Sequence, residues 1–198
     1  FRRVLFRSPV EVLSRRRSEA AGFVAAGMLA PHAEGLRGPL LALGQASLAR
    51  IPDWVAQVEA DSGLSCGLRA CGIVVPFRSA AQRDAYPTAA WGQPLDRSGL
   101  EGEIAGIGPL WQAGLLFAQD GQIDNRRQLM RALERACASL GVRFQEGAEA
   151  LELIRDGDGR LSGVRLQSAD GEQRQLPVRQ AVLTCGAWSA DRKSTRLN

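Results

Sequence analysis

Apolar residues recur at Leu41, Leu48, Ile51, Val55 and Val58 with spacings of three, four and seven, which predicts helical structure from about Pro39 to Asp61. Pro39 suits a first helical turn, and Pro52 predicts a split, with a second helix opening at its own N1 position. The same period returns at Leu129, Leu133, Ala136, Cys137 and Leu140; Asp124 or Asn125 is placed to cap that helix and Gly141 to stop it. From Val142 the period changes to two, so Val142 to Phe144, Ala150 to Ile154, Leu161 to Leu166 and Val178 to Thr184 are expected as strands. Asp156-Gly157-Asp158-Gly159 and Asp170-Gly171 supply turns between them. Upstream, Val10 to Leu13, Gly72 to Phe77 and Ala113 to Ala118 read as strands, Asp120-Gly121 as a turn, and Pro87 to Pro109 as irregular.

This order of elements is α/β with α+β character, and it is not a complete domain. A dinucleotide-binding unit opens with a strand, a Gly-rich turn and a helix, then a second strand whose end meets the adenosine ribose; here only that second strand, Val10 to Leu13, is expected. After it comes a loop poor in side chains, Val24 to Gly35, in which Gly and Ala remove the bulk that keeps a ring system off the main chain and Pro31 stops any helix. Such a loop is a contact surface for a flat, apolar cofactor rather than a set of catalytic groups.

The octapeptides 1–8 and 191–198 can be encoded by DNA strings that, offset by one base, are reverse complements over all but the final base. They look like translated sequencing adapter and are set aside, leaving 9–190 as the expected protein. This changes the charge picture. The two ends carry six cationic residues, Arg2, Arg3, Arg7, Arg192, Lys193 and Arg196, against Asp191, a net +5 of the chain's +4, so the remainder is about −1. Neither a nucleic acid nor a membrane is therefore expected as partner. No apolar run approaches the roughly 20 residues of a membrane span, and a cytoplasmic location is expected. Cys66, Cys71, Cys137 and Cys185 form no CxxC pair and His32 is the sole histidine, so no metal or disulfide framework is expected. The acidic pair Asp156 and Asp158 is read as a hairpin turn rather than a metal loop.

Five segments in order, Ala25 to Glu34, Pro52-Asp53-Trp54, Cys71-Gly72-Ile73, Asp120 to Asn125 and Cys185 to Ser189, resemble the glycine oxidases of thiamine biosynthesis, of the cyanobacterial type. These belong to the D-amino-acid-oxidase-like FAD-dependent oxidoreductases. The resemblance covers 9–190 and implies an incomplete FAD-binding Rossmann-like domain (9–62 and 119–190) with an antiparallel-sheet substrate domain (63–118). It implies FAD as cofactor, glycine or a small amino acid and O2 as substrates, and oxidation to the imine or glyoxylate with release of H2O2 in thiazole assembly. A homo-oligomer and thiazole synthase are the protein partners it suggests for the parent enzyme.

By the same resemblance, Ala26, Gly27 and Met28 lie at the isoalloxazine, Ser14 at the ribose, Ala150 at the adenine edge through its main chain, and Gly186 near the cofactor after a last strand; Arg15 to Arg17 are read either as contacts to the pyrophosphate or adenine face or as a solvated surface run. Ser14 departs from the carboxylate that many relatives carry there. His32 is read as a structural hydrogen-bonding residue, and no catalytic residue is assigned. The Gly-rich turn and the substrate-clamping Arg and Tyr of these oxidases have no counterpart in 9–190, so the chain alone is expected to be inactive. Alternatives are a sarcosine oxidase, a D-amino-acid dehydrogenase or a non-catalytic module.

Overall fold

The computed structural model describes residues 9–123 and 126–186. Helices and strands are mixed, and the chain divides into two compact units, one of residues 25–136 and one of the flanking segments. The division falls at 24/25 and 136/137. Its cause is a shared core: Val55 and Val58 pack with Cys66, Ile123, Ala132 and Ala136.

In the flanking unit, strand β1 (Glu11–Ser14) opens the described chain, one residue later than the apolar run suggests. It pairs in parallel with β8 (Arg143–Glu146), Ser14 standing opposite Glu146 at the strand ends. A separate antiparallel sheet follows, of order β11-β10-β9, with β9 at Ala148–Arg155, β10 at Leu161–Ser168 and β11 at Gln173–Pro177. The turns at Asp156 to Gly159 and Asp170-Gly171 join them as the sequence suggests. Residues 178–184 are not a strand. Val178 makes one further hydrogen bond to Ser162, but the apolar run beyond it pairs with no described strand and Val182 is 85% exposed.

The central unit carries two small sheets. In the first, β2 (Met28–Leu29) and β3 (Leu68–Arg69) flank β7 (Gly121–Ile123). In the second, β4 (Ile73–Phe77) and β5 (Gln93–Leu95) flank the buried β6 (Ala113–Phe117). Pro76 and Pro94 both lie on these edge strands, where a missing N–H disturbs no central ladder.

Helix α1 (Gly38–Leu48) ends before α2 (Ile51–Ser62), each with Pro in its first turn, so the predicted split is real. Gly63, with φ +69°, stops α2 in the left-handed region. Helix α5 (Arg126–Ser139) buries Ala132 and Ala136 and packs Leu129 and Leu133 beside them; Gly141, with φ +84°, follows it as expected. The proposed caps Asp124 and Asn125, and the end segments 1–8 and 187–198, lie outside the described residues.

Pro87 to Pro109 is more ordered than its Gly and Pro content suggests. Besides β5 it holds α4 (Arg97–Glu103), where Asp96 caps the Gly99 N–H at 2.8 Å. The Arg97 guanidinium then donates to the carbonyls of Ile107, Gly108 and Trp111 and ties down the following loop. A short helix α3 (Ala80–Asp84), capped by Ser79, also lacks periodicity long enough to be foreseen.

Candidate functional site

Position 27 tolerates no side chain. Its φ is +85°, and a Cβ there would lie 2.3 Å from the carbonyl oxygen of Ile123. The close approach lets the Ile123 N–H donate to the Gly27 carbonyl at 2.7 Å, which sets the phase of the β2–β7 ladder. With Met28 opposite Gln122 and Leu29 opposite Gly121, Gly27 and Leu29 face β7, and the N–H and C=O of Met28 point to the other side. Since β2 is an edge strand, that side is a main-chain donor and acceptor pair beside a Met28 side chain that is 54% exposed. Ala26 before it is exposed as well.

Behind this strand the chain turns through Pro31 and the buried His32. Asp120 is 1% exposed and immediately precedes β7; one of its oxygens accepts the main-chain N–H of His32 (3.2 Å) and of Ala33 (2.8 Å), while the other meets His32 Nδ1 at 2.6 Å. The pair Asp120-Gly121 is thus a buried anchor and a strand start, and the turn lies just before it, closed by the Asp120 N–H to the Phe117 carbonyl. A carboxylate that accepts two main-chain N–H groups and meets an imidazole nitrogen is satisfied, which makes its burial sustainable. The Gln45 amide nitrogen lies 3.1 Å from His32 Nε2, and Thr88 and Tyr86 donate to the carbonyls of His32 and Ala33 at 2.6 and 2.7 Å. The imidazole lies between Phe117 (6.2 Å, 17° between planes) and Trp91 (5.5 Å, 40°). Burial and the nearby Glu34 push the Tyr86 phenol above the ordinary tyrosine range.

An open groove of about 590 Å³ runs beside this cluster, lined by His32, Gln45, Leu48, Ala49, Trp91 and Gln119. Trp91 is half exposed on this groove. His32 is the interior hydrogen-bonding residue its sequence reading anticipates. Asp120, Gln45 and Thr88 are missed by that reading: 88 residues separate Asp120 from His32, and an Asp-Gly dipeptide carries the signature of a surface turn.

In the flanking unit, Ser14 ends β1 beside Glu146. Glu146 accepts the main-chain N–H of Arg17 at 3.0 Å, and the Arg17 guanidinium lies 5.0 Å over the Phe144 ring. Arg15 and Arg16 both pair with Glu19 on the surface, at 3.3 and 2.7 Å. Ala150 lies opposite Leu166 where the β9–β10 register steps past Leu151, a bulge. Gly186 has φ +56° in an exposed segment and does not end a strand, because the strand expected before it is absent. Ser14, Arg15 and Ala150 thus belong to one unit with Gly186, whereas Ala26, Gly27 and Met28 belong to the other.

All four cysteines are free: Cys66 is buried, with its thiol pushed up by burial and by Glu59, Cys71 and Cys185 are exposed, and Cys137 is intermediate. No cluster of three or more His, Cys, Asp or Glu suited to a metal occurs among the described residues. No helix among them is long and apolar enough to cross a membrane.

Comparison with known proteins matches residues 5–197 to the family described as FAD dependent oxidoreductase, DAO. The chain is 36% identical over 186 residues to a "Bifunctional protein ThiO/ThiG" of Synechocystis, covering 93% of this chain and 27% of that protein, and 28% identical to the protein of the same description from Nostoc, covering 91% and 28%. Among solved structures, a glycine oxidase from Bacillus cereus superposes with a TM-score of 0.79 at 18% identity, over 94% of this chain and 52% of its own. A glycine oxidase from Geobacillus kaustophilus gives 0.78 at 23% identity, over 93% and 50%. The chain therefore spans about half the length of these solved relatives and about a quarter of the curated ones.

Proposed function

Because the chain belongs to the FAD dependent oxidoreductase family, we propose that it is part of a glycine oxidase serving thiamine biosynthesis. The observation that carries this reading is the outward-facing main chain of Met28 next to the side-chain-free Gly27 on an edge strand. A flat heteroaromatic edge can pair with one N–H and one C=O of an edge strand, and the bare Gly27 lets β2 close on the Ile123 carbonyl and hold that strand in place. The residues present therefore fit a flavin ring. FAD held there would supply a two-electron acceptor for oxidation of glycine to its imine, with O2 as the final acceptor and peroxide as the product.

The chain's own contribution is binding and positioning. Ala26, Gly27 and Met28 would hold the ring edge, and the apolar Met28 side chain would keep water from it. In the flanking unit, the Ser14 hydroxyl would bond the ribose from the end of a parallel strand, the position where nucleotides meet such sheets. Arg15 would reach the pyrophosphate in exchange for its surface pair with Glu19, at small cost for an exposed ion pair. Ala150 would offer its main chain to the adenine, and Gly186, in a backbone conformation suited to glycine, would permit close approach to the cofactor. Resemblance to proteins described as bifunctional ThiO/ThiG supports an imine destined for thiazole synthase; O2 as acceptor, a cytoplasmic setting and a homo-oligomer of the longer parent belong to the same proposal.

The test is expression of a full-length protein carrying this segment, followed by a flavin absorbance spectrum and a peroxidase-coupled assay with glycine, sarcosine and D-amino acids. Bound flavin with peroxide formation fastest from glycine is expected. A flavin-free protein, or one that passes electrons from these amines only to an artificial acceptor, overturns the assignment. The 198-residue chain itself is expected to neither hold FAD tightly nor turn over.

A further inference from the structure

We propose that His32 is a positioning residue for the Gly27–Met28 edge, held as its Nδ1–H tautomer between Asp120 and Gln45; the inference rests on the reading of β2 as the flavin-facing strand. The Gln45 amide nitrogen faces Nε2 at 3.1 Å and can only donate, so Nε2 accepts. The ring proton is then on Nδ1 and is donated to Asp120 at 2.6 Å. Asp120 thereby gathers three donors, the His32 ring, the His32 N–H and the Ala33 N–H, onto the residue before β7.

The reach of this clamp follows from the shortness of β2. The strand is two residues long, ends three residues before His32, and is fixed at its other end by the Ile123 to Gly27 hydrogen bond. With so few ladder bonds, a shift of His32 carries to the main chain of Met28. Phe117 and Trp91 flank the ring, and Thr88 holds the His32 carbonyl at 2.6 Å, so the imidazole has one orientation. Its side chain is 4% exposed and both nitrogens are engaged, an arrangement that suits positioning and leaves no lone pair open to a substrate.

Two variants separate the two nitrogens. In His32→Asn the side-chain amide nitrogen stands where Nδ1 stood and can still donate to Asp120; in His32→Gln it stands where Nε2 stood and cannot. The FAD-loaded full-length protein is the material. Histidine ¹⁵N spectra, with the His32 signals identified by their loss in His32→Asn, are expected to show Nδ1 protonated and Nε2 bare. The FAD dissociation constant is expected to stay within about threefold in His32→Asn and to rise about tenfold in His32→Gln, the loss of one charge-assisted bond. Asp120→Asn, which turns an acceptor into a donor toward the ring, is expected to move the proton to Nε2 and shift the flavin absorbance bands. A wild-type ring protonated on Nε2 alone overturns the inference, as do equal FAD affinities in His32→Asn and His32→Gln. A wild-type protein that binds no flavin but shows the Nδ1–H tautomer instead overturns the reading of β2, while leaving the clamp itself in place.

Discussion

Replacing Gly27 by Ala combines two penalties that other glycines of the same unit carry singly. At Gly63 the φ of +69° is the sole obstacle, because a Cβ there meets nothing within 4 Å. Forcing an L-residue into that region costs about 1–2 kcal/mol. At Gly121 the φ is unremarkable for any residue, but a Cβ would stand 2.4 Å from the Arg69 carbonyl oxygen across the β3–β7 pair. Overpacking of this kind costs about 1–3 kcal/mol. Gly27 has both, with φ +85° and 2.3 Å to Ile123, and relief by widening the gap would break the 2.7 Å bond from the Ile123 N–H.

Gly27→Ala is therefore expected to destabilise by about 2–5 kcal/mol, near the sum of Gly63→Ala and Gly121→Ala. Urea unfolding of the three variants, followed by circular dichroism and converted through a common slope, measures this directly. The exposed α4 residue Gly102, with open space around it and an ordinary φ, is the opposite control, and Gly102→Ala is expected to stabilise by about 0.5–1 kcal/mol. The reasoning is refuted if Gly27→Ala costs no more than Gly63→Ala.

Tyr86 is the only tyrosine, so a phenolate absorbance titration reports it alone. Its midpoint is expected above the ordinary value of about 10. Because the folded state then binds the proton more tightly than the unfolded one, the stability contribution is complete below pH ~10 and declines as pH rises through the folded value; Tyr86→Phe should remove that slope, and an unshifted titration contradicts it. Thiol labelling should modify Cys71 and Cys185 within the native state and Cys66 only on unfolding, since burial and Glu59 both disfavour its thiolate; native-state labelling of Cys66 would contradict the placement.

What the sequence discloses here is what repeats or punctuates. The split at Pro52, the stop at Gly141 and the apolar face of α5 all follow from local spacing. The elements it misses are decided elsewhere. Gln93 to Leu95 becomes a strand because β6 offers an edge, whereas Val178 to Thr184 has the apolar pattern of a strand and pairs with none that is described. The loop Val24 to Gly35 is legible from its lack of side chains, but its anchor is not: Asp120 acquires its role from His32 and Ala33, 88 and 87 residues away. Ser14 at the end of a parallel strand is legible, whereas the neighbouring Glu146 comes only with the pairing of β1 and β8.

The neighbour that excludes a side chain at position 27 is a carbonyl oxygen, and every amino acid supplies that atom. No exchange of Ile123 for a smaller residue can make room, so a genetic screen for suppressors of Gly27→Ala should recover revertants and no compensating partner at 123.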